Sequence, residues 1–151
     1  HAIADLCDRI IVLTKNSQTL LTTHYDCPKA KTIVIPHGTH SILWEQKEKL
    51  KIKYGFSDRI VLSTFGLISE NKSIETVLHA LPEIVAKYPT VIYLVIGKTH
   101  PEVIKNEGEK YRNKLTSITE ELHLENNVLF IDEYLELKQL LDYQKASPIV
   151  K

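Results

Sequence analysis

Three short runs of β-branched and apolar residues constrain this chain most: Ile60 to Phe65, Val91 to Ile96, and 127–131. None alternates with polar residues, so each reads as a strand buried on both faces. The first two stop at Gly66 and Gly97, and each run is followed by a helical pattern. After the first, Ile74, Val77, Leu78, Leu81, Ile84 and Val85 recur at three-and-four spacing, predicting a helix over 73–87 that Pro89 ends. After the second, Pro101 opens what reads as one long helix to about His123, with Ile104, Tyr111, Leu115, Ile118 and Leu122 as its inner face. The mixed charges between Glu102 and Glu125 read as its solvated face. A third helix is expected over 136–145. Strands alternating with helices pair in parallel, so the pattern predicts an α/β fold: a Rossmann-like parallel sheet with helices on both faces.

Upstream the rhythm is looser. A helical pattern over 1–9 precedes a strand at Ile10 to Leu13. Thr14 to Ser17 offers caps for a helix to about Tyr25, and Thr32 to Ile35 is a strand closed by Pro36-His37-Gly38. A polar helix is expected from Glu45 to Tyr54, stopped by Gly55. The chain starts at His1 and contains no methionine, and Lys145 to Lys151 looks like a strand beginning and then cut, so a fragment of a longer protein is expected.

Nineteen basic residues balance nineteen acidic ones, which argues against nucleic acid or a charged membrane surface as a partner and makes any anion site local. Cys7 and Cys27 lie in no metal or redox spacing and read as plain thiols. His37-x-x-His40 flanks a turn but has no third ligand nearby, so no metal site is expected. With no apolar run long enough for a membrane span and no signal peptide, the expected compartment is the cytoplasm.

Open parallel sheets bind ligands at the carboxyl ends of their strands. That nominates three loops: Gly66 to Lys72, Gly97 to His100, and Asp132 to Tyr134. In the first, a glycine permits close approach, and Lys72 stands where a helix begins; a cation there is unfavourable unless an anion binds. In the second, Lys98 could reach a phosphate and Thr99 could cap the next helix. In the third, Asp132 and Glu133 could bond ribose hydroxyls or stand solvated. Neither G-x-x-x-x-G-K-[ST] nor G-x-G-x-x-G occurs, and no H-E-x-x-H, G-x-S-x-G or Cys/His pair suggests catalysis. The residues alone indicate a small polar ligand, plausibly phosphorylated, and name no reaction.

The segment F-G-L-I-S-E-N-K-S-I-E-T-V-L-H-A-L-P-E-I-V-A-K-Y-P-T-V-I-Y-L-V-I-G-K-T-H-P resembles the group 1 (family 4) retaining glycosyltransferases of GT-B fold. Their C-terminal domain opens on F-G-R-L-S-x-x-K-G, then A-L-P-x-I, then a strand ending V-I-G. Asp8 to Thr14 and Ile33 to Gly38 resemble the approach to the interdomain hinge, and Glu125 to Phe130 matches a later strand of the family. The resemblance implies that 1–38 is the tail of an N-terminal domain with the hinge, and 39–151 a truncated nucleotide-sugar-binding C-terminal domain. It implies sugar transfer with retention, from a nucleotide-sugar donor to a glycan or lipid acceptor, in the service of polysaccharide biosynthesis. The acceptor would be held by an N-terminal domain outside this chain. Gly66, Ser69 and Lys72 would meet the donor diphosphate, and Gly97, Lys98, Asp132 and Glu133 would line the nucleotide pocket. The catalytic residues would lie outside the fragment, which alone would be inactive. No metal or other cofactor is implied, and the parent could touch membranes peripherally. Two positions depart from the pattern: the family's arginine after the first glycine is Leu67, and the glycine after the lysine is Ser73. Leu67 keeps two alternatives open, a non-catalytic nucleotide- or sugar-phosphate-binding domain and a sugar-nucleotide epimerase of the same fold.

Overall fold

The computed structural model describes residues 2–39, 45–147 and 149–150, and the chain divides into two units, His1–Ile42 and Leu43–Lys151. His40, Pro148 and Lys151, on which some of the expectations above fall, lie outside the described residues.

The first unit contains α1 (Ala2–Leu6), β1 (Ile10–Val12), α2 (Lys15–His24) and β2 (Thr32–Val34). β1 and β2 pair in parallel, Ile11 opposite Ile33, and Ile35 N extends the ladder by donating to Val12 O at 2.9 Å. Thr14 caps α2: its backbone is extended and its Oγ1 accepts from Ser17 N at 3.0 Å, satisfying one of the donors that a helix start leaves open. Gln18 Nε2 donates to Thr32 Oγ1 at 2.8 Å, tying α2 to the second strand. Cys7 and Cys27 are both free thiols.

The second unit is built on a four-stranded parallel sheet. Its elements are α3 (Lys47–Lys53), β3 (Ile60–Phe65), α4 (Ile74–Lys87), β4 (Val91–Ile96), α5 (Pro101–Glu107), α6 (Lys110–Glu121), β5 (Val128–Ile131), α7 (Leu137–Ala146) and β6 (Ile149–Val150). The strand order is β5-β4-β3-β6, all parallel. All six residues of β4 are buried, because successive side chains serve opposite layers. Val91, Tyr93 and Val95 pack with Leu78 and Leu81 of α4 and Tyr111, Leu115 and Ile118 of α6. Ile92, Leu94 and Ile96 pack with Phe56 and Val61, against which Tyr54 and Tyr143 also lie. Each fully buried aliphatic side chain contributes about 1.5–3 kcal/mol, which is why an unbroken apolar run is stable here and nowhere at a surface.

Polar groups fix the ends of this core. At the amino edge of the sheet Arg59 Nη2 donates to Asn126 O at 2.7 Å, and Asn127 Nδ2 donates to Val91 O at 2.7 Å. Between α3 and α7, the Asp142 carboxylate is 2% exposed and accepts from Lys53 Nζ, Tyr54 Oη and Lys138 Nζ at 2.8, 2.9 and 3.1 Å. Burial alone would raise the Asp142 pKa, but these donors outweigh it and hold the group at about 2.

One expectation about the helices of this unit fails. The helix foreseen from Pro101 to about His123 is two helices, separated at Gly108. Gly108 takes a left-handed φ of 62° and its N–H closes on Ile104 O at 2.9 Å, the ordinary way a glycine ends a helix. Ile104 is consequently exposed rather than on an inner face, whereas Tyr111, Leu115 and Ile118 are buried as expected.

Candidate functional site

The strand order places a reversal at β3: β4 and β5 lie to one side of it and β6 to the other. In open α/β sheets the crevice for ligands opens at the carboxyl ends of the strands at such a reversal. A cavity of about 160 Å3 lies there, lined by Gly66 and Leu67 after β3, Gly97 and Lys98 after β4, and Glu133 and Tyr134 after β5.

The first two turns meet backbone to backbone. Gly66 has φ +112° and Gly97 φ +136°, conformations that side chains rarely adopt. A Cβ added at Gly97 would fall 2.0 Å from the Gly66 carbonyl oxygen, so no side chain fits there without displacing the neighbouring loop. Gly66 N donates to Ile96 O at 3.0 Å, and pairing resumes past the glycines with Ile68 N to Lys98 O at 2.8 Å and His100 N to Ile68 O at 2.9 Å. Ile68 is buried and anchors the first loop in the core.

Lys72 folds back over Gly66. Its Nζ stands 3.4 Å from the position that a Gly66 Cβ would take. Among the described residues none offers that ammonium a hydrogen bond or an ion pair. Contrary to the expectation from sequence, Lys72 does not enter α4; it ends a 3-10 turn, Glu70–Lys72, whose Lys72 N donates to Ser69 O at 3.0 Å. Ser73 follows at φ 47° and contributes no side-chain cap. At the α4 start, Ile74 N donates to Tyr111 Oη at 3.3 Å, and the Tyr111 hydroxyl donates to Glu75 Oε2. Burial raises the Glu75 pKa, but the Tyr111 hydroxyl, its own backbone N–H and Lys114 Nζ at 3.7 Å outweigh it and leave the carboxyl below its ordinary value. Burial, and then Glu75, push the Tyr111 hydroxyl upward. Part of the helix start foreseen as an anion site is therefore occupied by the protein's own groups.

Of the residues nominated from sequence, Gly66, Gly97, Lys98 and Glu133 line the cavity and Lys72 overhangs Gly66. Ser69 and Asp132 are not among the lining residues. Ser69 shapes the turn through its carbonyl, and Asp132 Oδ1 pairs with Arg112 Nη2 at 3.0 Å. Thr99 does not cap the next helix. Pro101 at its first position puts His100 at the cap, where Nδ1 accepts from Glu102 N at 3.2 Å. Thr99 Oγ1 instead donates to Glu109 and accepts from Arg112 Nε. His37 is exposed, and no group of three metal-ligating side chains occurs among the described residues.

Arg112 is the residue that sequence reasoning missed. Counted with the solvated charges, it has a side chain only 12% exposed, and Nη2 donates to Gly97 O at 2.7 Å. A signal was present: Arg112, Leu115 and Thr119 share one helical row, and the last two are buried.

No protein-family model matches the chain. It is 27% identical over 128 residues to an uncharacterized glycosyltransferase of Methanocaldococcus jannaschii, an alignment that spans 82% of this chain and 29% of that protein. Sucrose-phosphate synthase from Thermosynechococcus elongatus matches with a TM-score of 0.74 at 22% identity, over 99% of this chain and 35% of that one. HepE from Anabaena, solved in complex with UDP, matches with a TM-score of 0.72 at 21% identity, over 97% of this chain and 38% of that one. The chain thus spans about a third of the length of these three proteins. In fold and in sequence, the chain resembles the group 1 glycosyltransferases of GT-B fold.

Proposed function

We propose that the chain is the donor-side portion of a glycosyltransferase that moves a sugar, with retention, from a nucleotide-sugar donor to a glycan or lipid acceptor. Residues 1–38 would be the tail of an N-terminal domain with the interdomain hinge, and 39–151 part of the nucleotide-binding domain. The observation that carries this reading is the Lys72 ammonium, which has no counter-charge among the described residues and overhangs a glycine turn beside the cavity. The leaving nucleoside diphosphate gains negative charge as the sugar–phosphate bond breaks, and a fixed cation beside bare backbone stabilises that charge. Gly66 leaves Lys72 its room, and Gly97 and Lys98 with Glu133 would meet the nucleoside. Asp132, through its pair with Arg112, would act on the pocket from outside it, and Ser69 through the turn that carries Lys72. HepE, solved with UDP and with UDP-glucose, supports a nucleotide-sugar partner. No described helix is long and apolar enough to cross a membrane, and a cytoplasmic setting is part of the proposal.

Leu67 favours a second reading. It is 43% exposed and lines the cavity where the resembling family carries arginine, so one phosphate cation is absent at that position. A domain that binds nucleotide without transferring sugar would be built this way.

Calorimetry with UDP, GDP and ADP on the full-length protein tests both. One nucleotide is expected to bind, and Lys72→Ala to weaken it roughly ten- to hundredfold, the value of one hydrogen bond to a charged group. Binding that Lys72→Ala leaves unchanged removes the diphosphate role. Binding without sugar transfer to any acceptor selects the second reading.

A further inference from the structure

We propose that Arg112 is a positioning residue that holds the two glycine turns in register and thereby sets the affinity of the pocket for a nucleoside diphosphate. The second half of this inference rests on the function proposed above; the first does not.

Arg112 reaches two loops from the first turn of α6. Nη2 donates to Gly97 O at 2.7 Å and pairs with Asp132 Oδ1 at 3.0 Å, and Nε donates to Thr99 Oγ1 at 3.2 Å. Nε also lies 3.5 Å from Glu109 Oε2, which accepts from Thr99 Oγ1. The turn after β4 and the turn after β5 are thus joined through one planar group. A lysine could not replace it, because an ammonium on a flexible stem cannot hold three fixed acceptors in one plane.

The contact is transmitted. Gly97 is wedged so tightly against Gly66 O that a Cβ would stand 2.0 Å away, and Lys72 Nζ stands 3.4 Å from the place that a Gly66 Cβ would take. Pulling on Gly97 O therefore locates Gly97, Gly66 and Lys72 in succession. The preceding residue, Tyr111, braces the start of α4, just after the first loop, through Ile74 N and Glu75. Adjacent residues on α6 so hold the start of α4 and the turn after β4, and the break at Gly108 starts that helix afresh just before them.

Hydrogen–deuterium exchange on the ligand-free full-length protein tests the first half, with wild type, Arg112→Met and Arg112→Lys. Segments 65–70 and 96–101 report the turns, and 61–63 and 92–95 report the strand interiors. In Arg112→Met, exchange in both turns is expected to rise about tenfold or more while the strand interiors keep their wild-type rate, with Arg112→Lys between the two. Unchanged turns overturn the proposal, as does an equal rise in turns and strands, which marks Arg112 as an ordinary stabilising residue. Calorimetry with UDP, GDP and ADP tests the second half. Where wild type binds, affinity is expected to fall about tenfold in Arg112→Met and less in Arg112→Lys; an unchanged affinity with loosened turns overturns the link to the ligand. Should wild type bind none of the three, the transferase reading falls, and the exchange data still decide what Arg112 does.

Discussion

Replacing Gly97 by alanine should be far more damaging than its single methyl suggests. The added Cβ would stand 2.0 Å from the Gly66 carbonyl oxygen and 2.9 Å from its carbon. An ordinary C···O contact is roughly 3.3 Å, so the two backbones must part by about 1.3 Å. That displacement falls on Gly66 N to Ile96 O at 3.0 Å and Ile68 N to Lys98 O at 2.8 Å, bonds that cannot survive it at full strength. Forcing alanine to φ +136° costs about 1–3 kcal/mol, and the overpacking a further 1–3 kcal/mol or so. The sum is about 2–6 kcal/mol. Gly55→Ala is the matched control: its φ is +77°, but a Cβ there meets nothing within 4 Å, leaving only a left-handed residue at about 1 kcal/mol. Urea unfolding followed by circular dichroism compares the two. With slopes of about 1–3 kcal/mol per molar, their midpoints should differ by on the order of 1 M. Midpoints that coincide would show that the two turns yield to each other at little cost, and the reasoning about the glycine pair would be wrong.

Three other outcomes follow from polar groups. Asp142→Asn should destabilise by about 1–3 kcal/mol, measured by thermal unfolding at pH 7, because it replaces a buried charged acceptor of three donors. Since the folded Asp142 carboxyl is lowered from 3.8 to about 2, its contribution is complete above the unfolded value and is lost as pH falls from about 4 to about 2. The wild type should shed that stability over this window, and Asp142→Asn should show a smaller loss across it. Tyr111→Phe should cost about 1–3 kcal/mol by leaving the Ile74 N–H unanswered. It should also raise the Glu75 carboxyl toward its ordinary value, which a carbon-detected NMR titration reads directly. Asn127→Ala should cost about 1–2 kcal/mol in chemical unfolding, since Val91 O and Pro89 O both lose the Asn127 amide donor at a buried strand edge.

What could be read from the sequence was whatever a single element decides. The runs at 60–65 and 91–96 announce burial on both faces, because the second is six apolar residues in a row and the first carries nothing more polar than Ser63 and Thr64, and the parallel sheet follows from their alternation with helices. The helix break at Gly108 was misread because glycine inside a helical pattern is tolerated often enough to be overlooked, and only its left-handed φ and its bond to Ile104 O identify an end. Arg112 was misread for a related cause. A charge in a charged stretch gives little sign of burial when its partners, Gly97 O and Asp132, come from turns distant in sequence. The candidate site belongs to the same class of fact. Two glycines each following a strand were visible, but their meeting depends on the pairing of β3 with β4, in which Phe65 stands opposite Ile96. That register sets Gly66 beside Gly97 at the next step. A slip of one residue would bring Phe65 or Leu67 against Gly97 in place of Gly66, and would also move every core residue of β3 to the wrong face. The packing that selects the register therefore also creates the close turn over which Lys72 lies, so the sheet cannot be correctly paired without forming the candidate site.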